Sequence, residues 1–521
     1  MRSKLDFVKI DNLRSLEIDS PIKIAPITIL VGKNSAGKST FARTFPLIRQ
    51  SCEAKKRAPI LWFGDRVDFG SFDESIKRKK VDDSESNKSE IIFTFGMSLS
   101  EDNPYWIRHF VSDERVEPVT HEANIEISIR RRQDGGCKAS SLRINAYGFD
   151  VLIKTDPYDS IESITCNELS WRPEHGSVAE VTYQSILPKI RFFQKASTSP
   201  EKAQRYLEYK PFDKYIKKII EENHSSEYAD FISDAIISAP IMAVGELADH
   251  VQERLPFFGL KKNAQDSRMR GQIFELENHA LVARINSFLE LFDSALSQYY
   301  SGVKYIEPLR ATAQRYYRKQ ELAVDEIDSK GENLAMFLDS LNNYQLKRFN
   351  EWTVSNFGFS ARTENQGGHV TILIREGNAE SESNLADIGF GFSQILPVIT
   401  QVWLSTSTAV PKTGKTTCMV VEQPELHLHP AFQAKLADVF VAAITATKAK
   451  AQSFIIETHS NHIVNRIGQL ISEGKLKSDL VQILIFEKDE DDSGTNIRLA
   501  GYDDRGYLKN WPIGFFEPGV D

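Results

Sequence analysis

Cysteine is scarce: the 521 residues hold four, Cys52, Cys137, Cys166 and Cys418. None stands at CxxC spacing, so neither a disulfide framework nor a zinc knuckle is expected, and a reducing cytoplasm suits the thiols. Long apolar runs are also missing. Apolar runs such as Cys418–Val421 and Phe454–Ile456 fall far short of the ~20 residues a helix needs to cross a bilayer, so a membrane partner is not expected. No leader pattern opens the chain, because Met1–Lys4 runs straight into a strand-like alternation, and a signal peptide is not expected. Positive charge is not in excess. A net charge of −8 argues against a globally basic protein that coats DNA, while a local basic groove stays open. Sustained heptads and internal repeats are absent as well, so no long coiled-coil arm is expected. What remains is 41% hydrophobic and 26% charged, a composition that buries a core and stays in solution. The length suits two to four units of ~100–200 residues.

Chemistry-bearing motifs sit at both ends of the chain. A strand is predicted at Phe7–Ile10, a turn at Asp11–Ser15, and a buried strand at Ile27–Val31. Asp82–Ser89 has no apolar side chain and reads as a solvated linker. Beyond it, Ile125, Ile127 and Ile129 alternate with polar residues, as do Leu142, Ile144 and Ala146 across an Asp134-Gly135 turn, which is a hairpin with one buried face. From about Glu201 the period becomes helical. Phe212, Tyr215, Ile216, Ile219 and Ile220 share one face, and Leu281, Ile285, Phe288, Leu289 and Phe292 share another. Between them Lys261–Gln272 is almost wholly polar and reads as a mobile stretch. Strands return at Val370–Ile374, Cys418–Val421, Phe454–Ile456 and Gln482–Phe486.

Gly32-Lys33-Asn34-Ser35-Ala36-Gly37-Lys38-Ser39 fits G-x-x-x-x-G-K-S between a predicted strand and a predicted helix. Such glycines let backbone N–H groups turn inward on phosphates, and the helix N-terminus adds partial positive charge. The pattern assigns the segment Gly32–Ser39, together with Thr40, to ATP phosphates. Lys38 is expected on the β- and γ-phosphates and Ser39 on Mg²⁺. Cys418–Glu422 is an apolar strand ending in a carboxylate, and Glu422 is expected to reach the same Mg²⁺, because a hard cation takes oxygen ligands. Phe454–Glu457 is a second such strand, followed by Thr458-His459-Ser460, where His459 is placed to bond a γ-phosphate or position water. Gly389-Phe390-Gly391-Phe392-Ser393-Gln394 precedes a helix predicted to begin near Ser393, with Pro397 in its first turn. Gly389, Gly391, Ser393 and Gln394 make a second candidate anion site.

These elements together resemble the ABC-type ATPases. Glu422-Gln-Pro-Glu-Leu-His-Leu-His-Pro430 is similar to a Walker B segment, His459 to the switch histidine, and Leu385–Gln394 to a degenerate signature motif. With Tyr305–Arg310 (YIEPLR) and Trp511–Phe516 (WPIGFF), they resemble one group within that class. It is the ATPases of bacterial antiphage defence: the overcoming-lysogenization-defect proteins and the Septu ATPase subunit PtuA, some retron-associated. The resemblance covers roughly 1–75 and 300–521. It implies an α/β fold, an ABC-type P-loop head of mixed sheet and flanking helices, interrupted by a β-rich and helical insertion. The expected boundaries are 1–81 for the N-terminal part of the head, 90–300 for the insertion and 301–521 for the C-terminal part. It further implies that ATP is sandwiched by a pair of heads, the signature-like segment binding the γ-phosphate held by the other copy.

Departures from that pattern are informative. Related heads place a catalytic glutamate directly after the Walker B carboxylate, where this chain has Gln423. An amide cannot accept water's proton, and losing a general base typically costs ~10²–10⁴-fold in rate. Glu425 and His459 are the candidate substitutes, and slow ATP hydrolysis is expected. No glutamine lies between Ser51 and Arg132, so the usual Q-loop is not identifiable, and Asp68–Phe72 is the segment in its place. Arg14 and Arg310 are candidate phosphate contacts. Residues 460–521 follow His459, too few for the nuclease domain that the lysogenization-defect proteins append, so a nuclease of its own is not expected. The acidic run Glu487–Asp492 reads as a solvated hairpin turn, and His427-x-His429 lacks a third ligand at metal spacing.

The leading expectation is a slow ATPase that regulates a separate effector, a nuclease, in antiviral defence. Nucleic acid is an open candidate as a further partner. Alternatives are a repair or recombination ATPase resembling the structural-maintenance-of-chromosomes heads, a non-hydrolysing ATP sensor, and a transporter's nucleotide-binding subunit, which the long insertion disfavours.

Overall fold

The computed structural model describes all residues except 1, 78–89, 102–118, 134, 175–176, 196–205, 209–211, 222–225, 240, 255–266, 321–323, 378, 410–416, 446–451, 489–493, 513–514 and 516–521. The linker expected at Asp82–Ser89 therefore lies outside the described residues. Two compact units divide the chain. One contains 1–14, 19–23 and 48–299, and the other 15–18, 24–47 and 300–521.

The first unit is built on an antiparallel sheet. Its strands run, in spatial order, Leu169–Trp171, Ile161–Cys166, Phe149–Thr155, Cys137–Ala146, Val119–Arg131, Glu90–Glu101 and Arg2–Leu13, the last also pairing with Ile22–Lys23. The predicted hairpin is present, with Ile125 opposite Ile144 and Ile127 opposite Leu142. Alternation explains it: Ile125, Ile127, Leu142 and Ile144 are all at most 2% exposed, while their neighbours turn to the other face. The helical face predicted around Leu281–Phe292 is shared by two helices, Ser267–Ala283 and Ile285–Ser301. The break falls at Arg284, whose buried Nε donates to the Ala280 carbonyl. The polar stretch 261–272 is helical from Ser267 onward, and its earlier part lies outside the described residues. Among the described residues no helix exceeds 17 residues.

The second unit is mixed α/β, with helices flanking a mixed sheet, as expected. Its chain order is β1 (Leu16–Glu17), β2 (Ile27–Gly32), α1 (Lys38–Glu53, in this unit as far as Leu47), β3 (Val303–Ile306) and α2 (Phe390–Thr406). Then come β4 (Cys418–Glu422), α3 (Pro430–Thr445), β5 (Ser453–Glu457), α4 (Asn461–Ser472), β6 (Val481–Lys488) and β7 (Thr495–Tyr502). The spatial order is β1-β7-β6-β2-β5-β4-β3. Every pairing is parallel except β6 with β7. Parallel strands covered on both faces read as continuous apolar runs, which is why β2, β4 and β5 were visible as sequence. Ile27, Ile29, Met419, Val421, Phe454 and Ile456 share one core with residues of α2, α3 and α4. Phe41 of α1 instead packs its ring 6.0 Å from that of Phe486 in β6.

Candidate functional site

Gly32 closes β2 at φ 140°, and a Cβ there would stand 2.1 Å from the Phe486 carbonyl oxygen. Only glycine fits so close a backbone approach at that dihedral. Ser35 and Gly37 also take positive φ, 61° and 97°, and together they curl the segment before α1 starts at Lys38. Lys33, Asn34 and Ser35 are exposed, whereas Ala36, Gly37 and Lys38 are buried, and Ser39 and Thr40 are half-buried. The Ala36 carbonyl is fixed by the Thr495 hydroxyl at 3.0 Å. Lys38 is 3% exposed and aims its ammonium into the curl, donating to the carbonyls of Gly32 (3.1 Å) and Lys33 (2.8 Å). Burial lowers its pKa, partly offset by the Glu457 carboxylate.

Strand order decides which carboxylate meets Ser39. β5 lies between β2 and β4, and Glu457 stands opposite both Leu30 of β2 and Glu422 of β4. Ser39 Oγ accordingly donates to Glu457 Oε1 at 2.9 Å. Glu422, expected to share Mg²⁺ with Ser39, is bonded to two other side chains. Arg43, one helical turn beyond Ser39, holds it with Nε and Nη2 at 2.8 Å each, and the Tyr305 hydroxyl donates to the same carboxylate at 2.7 Å. The hydrogen bond to Glu422 raises the Arg43 pKa. Burial, then the Glu422 charge, lifts that of Tyr305 well above its ordinary value. Glu457 is 2% exposed, and its Oε2 is buried without a hydrogen-bond partner. Burial first, then the neighbouring Glu422 charge, pushes its carboxyl up to about 7, against the Ser39, Lys38 and Arg43 contributions.

Beyond Glu422 the backbone turns sharply. Gln423 takes φ 41°, and its N–H donates to the Glu457 carbonyl at 2.8 Å. Arg310, 4% exposed, donates through Nη2 to the carbonyls of Glu422 (2.7 Å) and Gln423 (3.2 Å). Burial lowers its pKa to about 10. Glu425 accepts the His459 backbone N–H on Oε1 at 2.7 Å, while its buried Oε2 has no hydrogen-bond partner. Burial raises the Glu425 pKa, against that N–H bond. The His459 residue is exposed, and its pKa is lowered by partial burial and then by Lys38. Glu422, Gln423, Glu425, Glu457 and His459 are thus gathered at the strand ends beside the P-loop.

The Gly389–Gln394 segment differs from its expected geometry. α2 starts at Phe390, not near Ser393, so Pro397 lies well inside the helix, where it forfeits a backbone hydrogen bond. Ser393 is 5% exposed, its hydroxyl bonded to the Phe390 carbonyl of its own helix. Gln394 is fully buried and exchanges hydrogen bonds with the Arg310 backbone, N–H and carbonyl, at 3.3 Å each. Their side chains therefore face inward, and the open end of α2 is Gly389 and Phe390. Phe390 sets its ring edge against His427 at 4.9 Å. It lines a cavity of about 450 Å³ with Gly389, Gly391, Phe392, His427 and Phe432.

Arg43, Tyr305 and Glu457 were missed by sequence reasoning. A signal existed for two of them. Arg43 follows Ser39 by four residues on a helix, hence on the same face, and Ser453–Glu457 repeats the Cys418–Glu422 pattern of apolar strand ending in glutamate. Arg14, in the first unit, lays its guanidinium 4.5 Å over the Phe69 ring and donates to the Phe69 carbonyl. Asp68–Phe72 forms the capped start of a single-turn helix, Ser71 and Glu74 making a capping box. β6 and β7 bracket the acidic run as an antiparallel pair, with Lys488 opposite Thr495, and residues 489–493 lie outside the described ones. Among the described residues no group of three or more His, Cys, Asp or Glu side chains is arranged to hold a metal ion, and no helix is long and apolar enough to cross a membrane.

A family profile described as AAA ATPase domain matches residues 4–464. Among curated proteins no relative matches. Solved structures similar to the chain include the Smc head domain with an extended coiled coil bound to the C-terminal domain of ScpA, from Pyrococcus furiosus. It is 11% identical, covers 96% of each chain and has a TM-score of 0.35. An SmcHead bound to the C-winged helix domain of ScpA is 11% identical, covering 96% of this chain and 98% of that one at a TM-score of 0.37. The SMC head domain from Thermotoga maritima is 10% identical over 96% of this chain and 98% of its own, at 0.34.

Proposed function

Because this chain belongs to the AAA ATPase domain family, we propose that it binds Mg·ATP at Gly32–Thr40 and hydrolyses it slowly. The observation that carries the reading is Lys38: an almost fully buried ammonium directed at the loop's own carbonyls, beside a serine bonded to a buried carboxylate. Loop N–H groups, the α1 N-terminus and Lys38 suit the charge of a triphosphate. Mg²⁺, held by Ser39 with a strand-end carboxylate, would neutralise the β- and γ-phosphates. ATP titration of wild type and Lys38→Ala tests this. Loss of most affinity in a folded variant is expected, and unchanged affinity would overturn the assignment.

Slow turnover follows from the strand end. Gln423 brings an amide, and its backbone is pinned by Glu457 and Arg310. Glu425 is the carboxylate that bonds the His459 backbone, and burial raises its pKa, which makes it the candidate base. Two copies are proposed to close on ATP through the open end of α2, where Phe390 is 43% exposed beside an apolar cavity. In this reading the closed pair restrains a separate effector, a nuclease, in antiviral defence. That last step rests on the resemblance of Glu422–Pro430 and Tyr305–Arg310 to defence ATPases. Mass spectrometry of material copurified from the native locus tests it, and recovery of the chain without any nuclease subunit would count against it.

A further inference from the structure

We propose that Thr495, the first residue of β7, is a positioning residue of the phosphate loop. Its hydroxyl sets the Ala36–Gly37 peptide so that the Gly37 N–H faces the nucleotide's phosphates. The inference deepens the ATP-binding reading and rests on it.

A side chain far along the sequence reaches the middle of the loop. Thr495 is 3% exposed and donates from Oγ1 to the Ala36 carbonyl at 3.0 Å. Strand pairing fixes where that hydroxyl stands, because Thr495 lies opposite Leu16 of β1 on one side and Lys488 of β6 on the other. Among the described residues every peptide bond is trans, and in a planar trans peptide the C=O and N–H point in opposite directions. With the Ala36 carbonyl turned to Thr495, the Gly37 N–H points away from it. Gly37 is buried, and among the described residues its N–H donates to no protein acceptor. A buried N–H left unpaired is costly. This one stands directly before the N-terminus of α1, where an anion is favoured, and a phosphate oxygen is the acceptor that removes the cost.

Glycine makes the hydrogen bond decisive. Gly37 takes φ 97°, and a residue without Cβ lets the peptide before it rotate at little steric cost. The opposite orientation would put the Ala36 carbonyl oxygen where the N–H now stands, replacing a donor to phosphate by the negative end of a dipole. Contacts hold the loop from the same side: a Cβ on Gly37 would lie 2.9 Å from Leu16 Cδ2 and 3.0 Å from Thr495 Oγ1. Packing thus confines the loop, and the hydroxyl gives its peptide a direction. Residue 495 lies outside the residues 4–464 that the family profile matches, so this restraint is separate from the glycine and lysine pattern itself.

The experiment uses the full chain and reads binding without turnover. ATP affinity is measured by calorimetry for wild type, Thr495→Val, Thr495→Ala and Thr495→Ser, with urea denaturation of each as the check on folding. Thr495→Val keeps the size and the methyl contact, and it is expected to lose roughly 3- to 10-fold in ATP affinity, the range of one hydrogen bond. Thr495→Ala also lacks the hydroxyl and gives the same reading should the Val variant not fold. Thr495→Ser gives up the methyl and keeps the hydroxyl, so its affinity is expected within about twofold of wild type. Wild-type affinity in the folded Val or Ala variant would overturn the positioning role while leaving ATP binding intact. Equal losses in Thr495→Ser and Thr495→Val would also overturn it, because the methyl contact would then be responsible. Failure of wild type to bind ATP at all would instead overturn the reading beneath it.

Discussion

Replacing Arg43 by Met tests the Arg43–Glu422 pair directly. The substitution keeps the apolar stem and removes the guanidinium, so Glu422 retains only the Tyr305 hydroxyl at a site where its side chain is 1% exposed. Removing one partner of a buried pair typically costs ~3–5 kcal/mol, because the other charge stays buried. The Arg43 side chain is 33% exposed, so solvent screens part of the pair, and ~2–3 kcal/mol is the expected loss. The sharper outcome is a change of sign. Glu422→Gln is expected to destabilise wild type, where the carboxylate is doubly bonded, and to stabilise Arg43→Met, where it leaves an unneutralised charge. Urea denaturation of the four members of this double-mutant cycle gives the coupling energy. A loss below ~1 kcal/mol for Arg43→Met, the range of exposed pairs, or a Glu422→Gln effect of the same sign in both backgrounds, would refute the reasoning.

Steady-state ATPase assays separate the two candidate bases: Gln423→Glu is expected to raise turnover and Glu425→Gln to lower it, and indifference to both would remove the strand-end explanation of slow hydrolysis. Lys56, in the first unit, donates to the carbonyls of Ser51 and Ser185, and burial lowers its pKa from 10.5 to about 8. Between those values the folded state binds fewer protons than the unfolded one, so stability should rise with pH across about 8 to 10.5. The gain is on the order of 3 kcal/mol. Lys56→Met should flatten that rise in denaturation curves taken at stepped pH, and parallel curves for the two proteins would contradict it.

Strands were legible because a parallel sheet covered on both faces leaves contiguous apolar residues. The prediction Cys418–Val421 became Cys418–Glu422, and Phe454–Ile456 became Ser453–Glu457. The P-loop was legible because glycine and lysine spacing encodes a local backbone shape. Pairings far apart in sequence were not. Nothing local says that β5 lies between β2 and β4, so the sequence pointed to Glu422 and gave no sign that Glu457 bonds Ser39. Arg43 and Glu422 meet across most of the chain, and either alone reads as an ordinary charged residue. At α2 the glycines suggested a loop, yet Gly389 caps the helix without a side-chain hydrogen bond. The helix thus starts three residues earlier than expected, with Ser393 and Gln394 turned inward.

The place of β2 in its sheet sets a timetable for biosynthesis. Both strands beside it come from the far end of the gene: Ser453–Glu457 on one side and Val481–Lys488 on the other. A ribosome adding ~5–20 residues per second emits Ile27–Gly32 roughly 20–90 s before those neighbours exist. The residues of the first unit all lie at or before 299 and have been emitted well before that. During the interval the nascent chain carries an apolar segment with unpaired edges, the kind of surface that chaperones shield. A transcript cut short before codon 453 would therefore yield every residue of the first unit and a phosphate loop lacking both strands that flank β2.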